Sequence, residues 1–109
     1  MNFSIPKSSF FSTLSKSNSY FAKDLQFFYF PQSNKKIGFI VSKKYGSSSS
    51  RFLFKRRCRF IYLNNSMFPK KISIGLIIKP KKNIQISYDS IYLNFLSFLN
   101  YIKNNGTKT

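Results

Sequence analysis

Cations crowd the stretch from residue 43 to residue 59, where Lys43, Lys44, Arg51, Lys55, Arg56 and Arg59 stand with Arg57 and without a single carboxylate. The chemistry open to such a set is electrostatic: ammonium and guanidinium groups neutralise phosphates, and a guanidinium can also make paired, directional hydrogen bonds. Arg51, Lys55 and Arg59 recur every four residues, so on a helix they form one stripe. Ahead of them, Val41-Ser42-Lys43-Lys44-Tyr45-Gly46 joins an extended apolar segment to a glycine and a serine run. An extended segment, a glycine turn and a cationic helix in close succession suit the gripping of a folded RNA.

Hydrolysis by the protein itself is poorly served. Asp24 and Asp89 are the only carboxylates, histidine is absent and Cys58 is the sole cysteine. No imidazole can act as a general base, no donor set matches a zinc site, and no internal disulfide can form. Nineteen Lys and Arg against two acids give a formal net charge of +17, which repels itself until a polyanion neutralises it. The partner this implies is nucleic acid.

A membrane surface is polyanionic too, but the longest apolar runs, Phe27 to Phe30 and Leu76 to Ile78, fall far below the roughly 18 to 20 residues of a bilayer span. Pro6 and the early serines, with no continuous apolar stretch, argue against a secretory signal, so the protein is expected to stay in the compartment where it is made. At 109 residues the chain accommodates one domain with a modest core, with residues 1–6 and 104–109 expected to be flexible. Its 14 Phe and 7 Tyr, alongside many Ile, Lys and Asn, match the drift of an A+T-rich genome, so a stacking role has to be argued from position.

The elements that must position the cations follow from periodicity. Pro6, Ser8 and Ser9 supply start signals for a short helix carrying Phe10, Phe11 and Leu14. Lys16 to Ser19 reads as a turn, with Tyr20 to Lys23 a candidate extra strand. Leu25 to Phe30 reads as a strand ended by Pro31, and Lys35 to Lys44 as the next, pairing as a hairpin. In that second strand Ile37, Phe39 and Val41 share one face while Gly38, Ile40 and Ser42 share the other. Gly46 breaks the strand, and the serines offer N-caps for a helix over 50–63 whose apolar side is Phe54, Cys58, Ile61 and Tyr62. Pro69 sits in a connecting loop. Ile72 to Lys79 forms a strand closed by Pro80, and Ser87 caps a last helix with Ile91, Phe95, Phe98 and Ile102 at helical spacing. The order predicts an α+β fold, a two-layer α/β sandwich with helices packed on one face of a small mixed sheet.

With these residues in place, the chain resembles the protein subunit of bacterial ribonuclease P. Gly38, Val41, Ser42, Lys43, Lys44 and Gly46 match that family's Gly-x-x-Val-Ser-Lys-Lys-x-Gly strand, and Arg51, Lys55, Arg56 and Arg59 match its basic helix. The similarity runs on through Ile77-Ile78-Lys79-Pro80 and Ser87-Tyr88-Asp89. It departs at Phe52 and Leu53, where the family carries Asn and Arg, and at Phe60, where an acidic residue is common. The resemblance implies a ribosomal protein S5 domain 2-like fold whose basic helix joins two parallel strands by a left-handed βαβ crossover, against the usual right-handed rule.

It also implies a function, assistance to a catalytic RNA in the endonucleolytic removal of the 5′ leader from precursor tRNA, with Mg2+ held mainly by the RNA performing the hydrolysis. The RNA-binding residues would then be Lys43, Lys44, Arg51, Lys55, Arg56 and Arg59. The leader-binding residues would be Phe11 and Leu14 of the first helix with Phe28 and Phe30 of the sheet, since single strands are held on aromatic platforms beside cations. The expected partners are the catalytic RNA and precursor tRNA, with no membrane and no small-molecule substrate, in a bacterial cytoplasm or an organelle of bacterial ancestry. A structural RNA-binding protein of a ribosome would share the charge, but the ordered Val-Ser-Lys-Lys-x-Gly match favours ribonuclease P. A membrane-surface domain would need one amphipathic helix rich in cations, and the last helix has few.

Overall fold

The computed structural model describes residues 4–5, 7–32, 34–64 and 74–106. In chain order the elements are helix α1 (Phe10–Lys16), strands β1 (Asn18–Phe21), β2 (Leu25–Pro31) and β3 (Lys36–Phe39), helix α2 (Ser48–Arg59), strand β4 (Ile74–Pro80) and helix α3 (Tyr88–Tyr101). The sheet order is β1-β2-β4-β3, with β1/β2 and β2/β4 antiparallel and β3/β4 parallel. This is the expected mixed sheet, but the expected β2–β3 hairpin is absent because β4 lies between them. The reason is the burial of β4. Gly75, Leu76, Ile77 and Ile78 are buried on both faces, as only a central strand can be, whereas β3 carries Lys36 and Gly38 and takes the edge.

Strand alternation divides the sheet. Leu25, Phe27, Ile37, Leu76 and Ile78 face α2 and α3 and form the main core with Phe54, Cys58, Ile61, Tyr62, Ile91, Phe95 and Phe98. Phe27 stacks on Phe98 at 4.6 Å between centroids and meets Phe95 edge-on at 5.0 Å, which fixes α3 across β2. The apolar sides expected of both long helices are thus the buried ones. The short α1 does not join this layer. A side chain at Gly38 would come within 2.9 Å of Ile5 and 3.2 Å of Phe10, which places the start of α1 over the opposite face of the sheet. The bare Gly38 is what leaves it room.

Several boundaries differ from the sequence reading. The candidate extra strand over Tyr20 to Lys23 does pair, but two residues earlier: Asn18 and Ser19, expected in a turn, open it, and Asn18–Phe21 pairs with β2 from Asn18 opposite Tyr29 to Phe21 opposite Gln26. Ser9 stands at the N-terminus of α1 without a side-chain capping bond, a 3-10 turn over Lys7–Ser9 leading in instead. Helix α2 starts two residues early because Ser47 is the cap that engages, accepting from the Ser50 N–H at 3.2 Å. It ends at Arg59, and a π-helical turn over Phe60–Asn64 completes the apolar side. Ser87 caps α3 as expected. Of the termini expected to be flexible, Ser4 bridges Ile37 and Ile102–Gly106 forms a π-helical turn. The loop around Pro69, with Ile72, Pro6 and the remaining terminal residues, lies outside the described residues.

Candidate nucleic-acid interface

The cationic segment is held by one aromatic anchor. Regular β3 ends at Phe39, and Lys43–Tyr45 form a 3-10 turn in which the Ser42 hydroxyl accepts from the Lys44 N–H at 3.0 Å. Tyr45 is buried, its ring 5.3 Å from that of Phe54, and its hydroxyl accepts from the Ile86 N–H at 3.0 Å. Burial pushes the Tyr45 phenol above its ordinary pKa, so the group stays neutral. With Tyr45 drawn inward, Lys43 and Lys44 on the same turn are exposed. In the Val-Ser-Lys-Lys-x-Gly motif Tyr45 fills the unspecified position, and its apolar ring between charged and small residues is the one signal the sequence offers for it.

Gly46 plays a different part from the strand break expected of it. Its φ of 161° and ψ of −170° are extended backbone open to any residue. The constraint is space, since a side chain there would stand 3.0 Å from Cβ of Ser50 and 3.4 Å from Nε2 of Gln85. Its carbonyl accepts from Nε of Arg51 at 3.3 Å, and a terminal nitrogen of the same guanidinium donates to the Ser48 hydroxyl at 3.2 Å. Arg51 therefore braces the loop it follows, using two of its donors on the protein.

The expected stripe thus divides by neighbourhood. Arg59 lies over the Phe39 ring, 5.1 Å from the centroid, a cation–π contact that aims it toward the β3 edge. Arg57 donates to the Ile86 carbonyl at 3.4 Å, tying α2 to the approach of α3. Arg56 is exposed and Lys55 half-buried, and neither is engaged in a side-chain hydrogen bond among the described residues. Within the basic segment, Lys43, Lys44, Lys55 and Arg56 are the cations that no side-chain hydrogen bond or ring contact among the described residues commits to the protein, and so the freest to meet phosphate. Neither acid offsets them. Asp24 accepts from Nδ2 of Asn94 at 2.9 Å, and Asp89 stands in the first turn of α3, where it complements the helix dipole.

The aromatic candidates lie on the other side of the sheet. Phe28 and Phe30 alternate with the core residues Phe27 and Tyr29 and so point away from α2 and α3, both half-buried. The Phe30 ring covers Gly75, its partner on β4, filling the space where a Cβ would stand. Leu14 is half-buried one turn after Phe10, the α1 residue that approaches Gly38. Phe11 is 79% exposed and meets Phe10 edge-on at 5.7 Å, so it flanks this face rather than covering it. The structure therefore brings Leu14, Phe28 and Phe30 to the α1 side and sets the basic segment on the opposite layer.

A further anchor escaped the sequence reading. Asn94 is buried in α3, and its Oδ1 accepts from the backbone N–H groups of Asp24 at 2.8 Å and Leu25 at 3.2 Å. Its Nδ2 donates to Asp24 and to the Ser90 carbonyl, so every donor and acceptor is used. It clamps α3 to the start of β2.

The structure thus sets a cationic loop and helix between parallel strands on one side and an aromatic-lined sheet face on the other, charge suited to phosphates and apolar surface suited to unpaired bases. Among the described residues no helix is long and apolar enough to cross a membrane. No curated protein matches by sequence. In fold, the chain is similar to the ribonuclease P protein of Staphylococcus aureus, with a TM-score of 0.75 at 18% identity over 94% of this chain and 97% of that one. The Thermotoga maritima ribonuclease P protein gives a TM-score of 0.70 at 18% identity, covering 85% and 90%. These likenesses carry the fold, and the sequence model of the family described as Ribonuclease P matches residues 5–103, nearly the whole chain. The chain accordingly belongs to the ribonuclease P family, as a protein subunit of that tRNA-maturing ribonucleoprotein.

Proposed function

We propose that the protein binds the catalytic RNA of ribonuclease P through Lys43, Lys44, Lys55 and Arg56, with Arg51 and Arg59 at the flanks, and receives the single-stranded leader of precursor tRNA on the α1 side of the sheet. The observation that carries this reading is the cationic segment without a carboxylate, set outward by Tyr45. Phosphate neutralisation there would lower the repulsion that opposes docking of a second RNA on the first. The opposite face, with Leu14, Phe28 and Phe30 and with Phe11 at its rim, supplies apolar and aromatic surface for unpaired bases. Placing the two surfaces on opposite sides of one sheet lets a small protein touch both RNAs at once.

Asp24 and Asp89 are the only side-chain carboxylates the chain has to offer a magnesium ion. Asp24 is committed to Asn94, and no group of three or more potential metal-ligating side chains occurs among the described residues. The reading leaves magnesium to the RNA, and the protein's share is binding and orientation. The setting that fits is a bacterial cytoplasm or an organelle of bacterial ancestry. Sequencing the RNA that co-purifies with the tagged protein tests the assignment: enrichment of a ribonuclease P RNA and tRNA precursors is expected, whereas enrichment of ribosomal RNA alone would replace it with the ribosomal reading.

A further inference from the structure

On the solvent side of α2, Phe52 is 59% exposed and Phe60, where the helix passes into its π turn, is 50% exposed. With Arg56 between them they recur every four residues, so the three form one slowly turning ridge, the two rings about 12 Å apart along the axis at roughly 1.5 Å per residue. The apolar side of the helix is satisfied elsewhere, by Phe54, Cys58, Ile61 and Tyr62 in the core, so neither ring is needed to hold α2 down. Single exposed apolar residues are ordinary, but two phenyl rings bracketing a guanidinium on one face are not scattered surface. The surroundings select what could cover them. Arg51, Lys55, Arg56, Arg57 and Arg59 all belong to this helix, which has no acidic residue.

We propose that Phe52 and Phe60 are stacking platforms for unpaired bases of the RNA that the cations of α2 bind, with the Arg56 guanidinium held between them for the intervening phosphate or a third base. The inference rests on the assignment of α2 to the RNA subunit and adds the class of element it takes. A duplex offers no open base faces along its length, so the ridge selects a bulge, loop or joining strand. Arg56 can serve either role, since its plane stacks and its donors pair with phosphate.

Stacking and charge neutralisation differ in salt dependence, which makes the two separable. Only phosphate neutralisation releases counterions, so loss of stacking lowers affinity without changing the slope of log K against log salt. The experiment compares wild type, Phe52→Leu/Phe60→Leu and Phe52→Tyr/Phe60→Tyr for binding to a transcript of a bacterial ribonuclease P RNA across a potassium chloride series, with melting and sedimentation recorded for each protein. The leucine pair keeps apolar bulk and removes the π faces. It is expected to bind on the order of tenfold to a hundredfold more weakly with an unchanged slope, while the tyrosine pair stays near wild type. Leucine-variant affinity within about twofold of wild type, beside a steep wild-type salt slope, would overturn the stacking role and leave the RNA assignment standing. A lowered melting midpoint would assign the rings to the fold, and a wild-type dimer that the leucine pair splits would assign them to self-association. Either result would also overturn it. If wild type itself shows no salt-dependent binding, the underlying assignment fails first.

Discussion

Replacing Lys43, Lys44, Lys55 and Arg56 together with Gln is expected to weaken binding to ribonuclease P RNA a few hundredfold at about 0.15 M salt, and to reduce the salt slope by about three units. The figure follows from four phosphate contacts, each releasing somewhat less than one counterion, so the loss should shrink toward nothing near 1 M salt. These four are chosen over the regular stripe of Arg51, Lys55 and Arg59 because two of that stripe are engaged by the protein. Arg51 braces Gly46 and Ser48, and Arg59 leans on Phe39. Arg51→Gln alone is therefore a mixed change, loosening the loop that presents Lys43 and Lys44 as well as removing a charge. Filter binding across a salt series would measure the quadruple variant, and an unaltered slope would mean that the basic segment faces solvent in the assembled particle.

The largest effect on stability is expected at Asn94. Asn94→Leu preserves volume but strips the acceptor from the N–H groups of Asp24 and Leu25, and a buried donor left unsatisfied costs about 1–3 kcal/mol. The sum is about 3 kcal/mol, which for a domain of this size corresponds to a fall of roughly 10–20 °C in melting temperature. Asn94→Asp would restore the acceptor but set a second carboxylate beside Asp24 in place of the 2.9 Å amide contact. Like charges raise one another's pKa, so this variant should be least stable at neutral pH and recover as the pH falls and one carboxyl protonates. Thermal melts followed by circular dichroism at several pH values would show both effects. A leucine variant melting within a few degrees of wild type would remove Asn94 from the list of anchors.

Periodicity and capping chemistry made the helices legible. Phe54, Cys58, Ile61 and Tyr62 repeat at helical spacing and are the buried side of α2 and its π turn, and Ser87 caps α3 through the bond its side chain allows. The faces of β3 could also be read, with Ile37 in the core and Gly38 turned to α1. Strand order could not. Nothing local in Leu25–Pro31 or Lys36–Phe39 says that β4 will separate them; that depends on the double-sided burial of Gly75 to Ile78, visible only once both layers exist. The site was legible as charge and only in part as geometry. The cations of the basic segment could be named from spacing, but their inward turns at Gly46 and Phe39 depend on tertiary neighbours. Asn94 gave no signal, because a lone amide in a helix pattern looks the same whether it meets water or two backbone N–H groups.

This protein assists an RNA that does the cutting, and the most direct test follows the cutting itself. Cleavage of a 5′-leader-bearing precursor tRNA by ribonuclease P RNA should be followed across a magnesium titration, with and without the protein, beside a control of protein alone. Faster leader removal at low magnesium when protein is present, convergence of the two curves at high magnesium, and no cleavage by protein alone are the predicted results. Superimposable titrations with and without protein, or cleavage by the protein without RNA, would show that the protein is not an assistant to a cutting RNA.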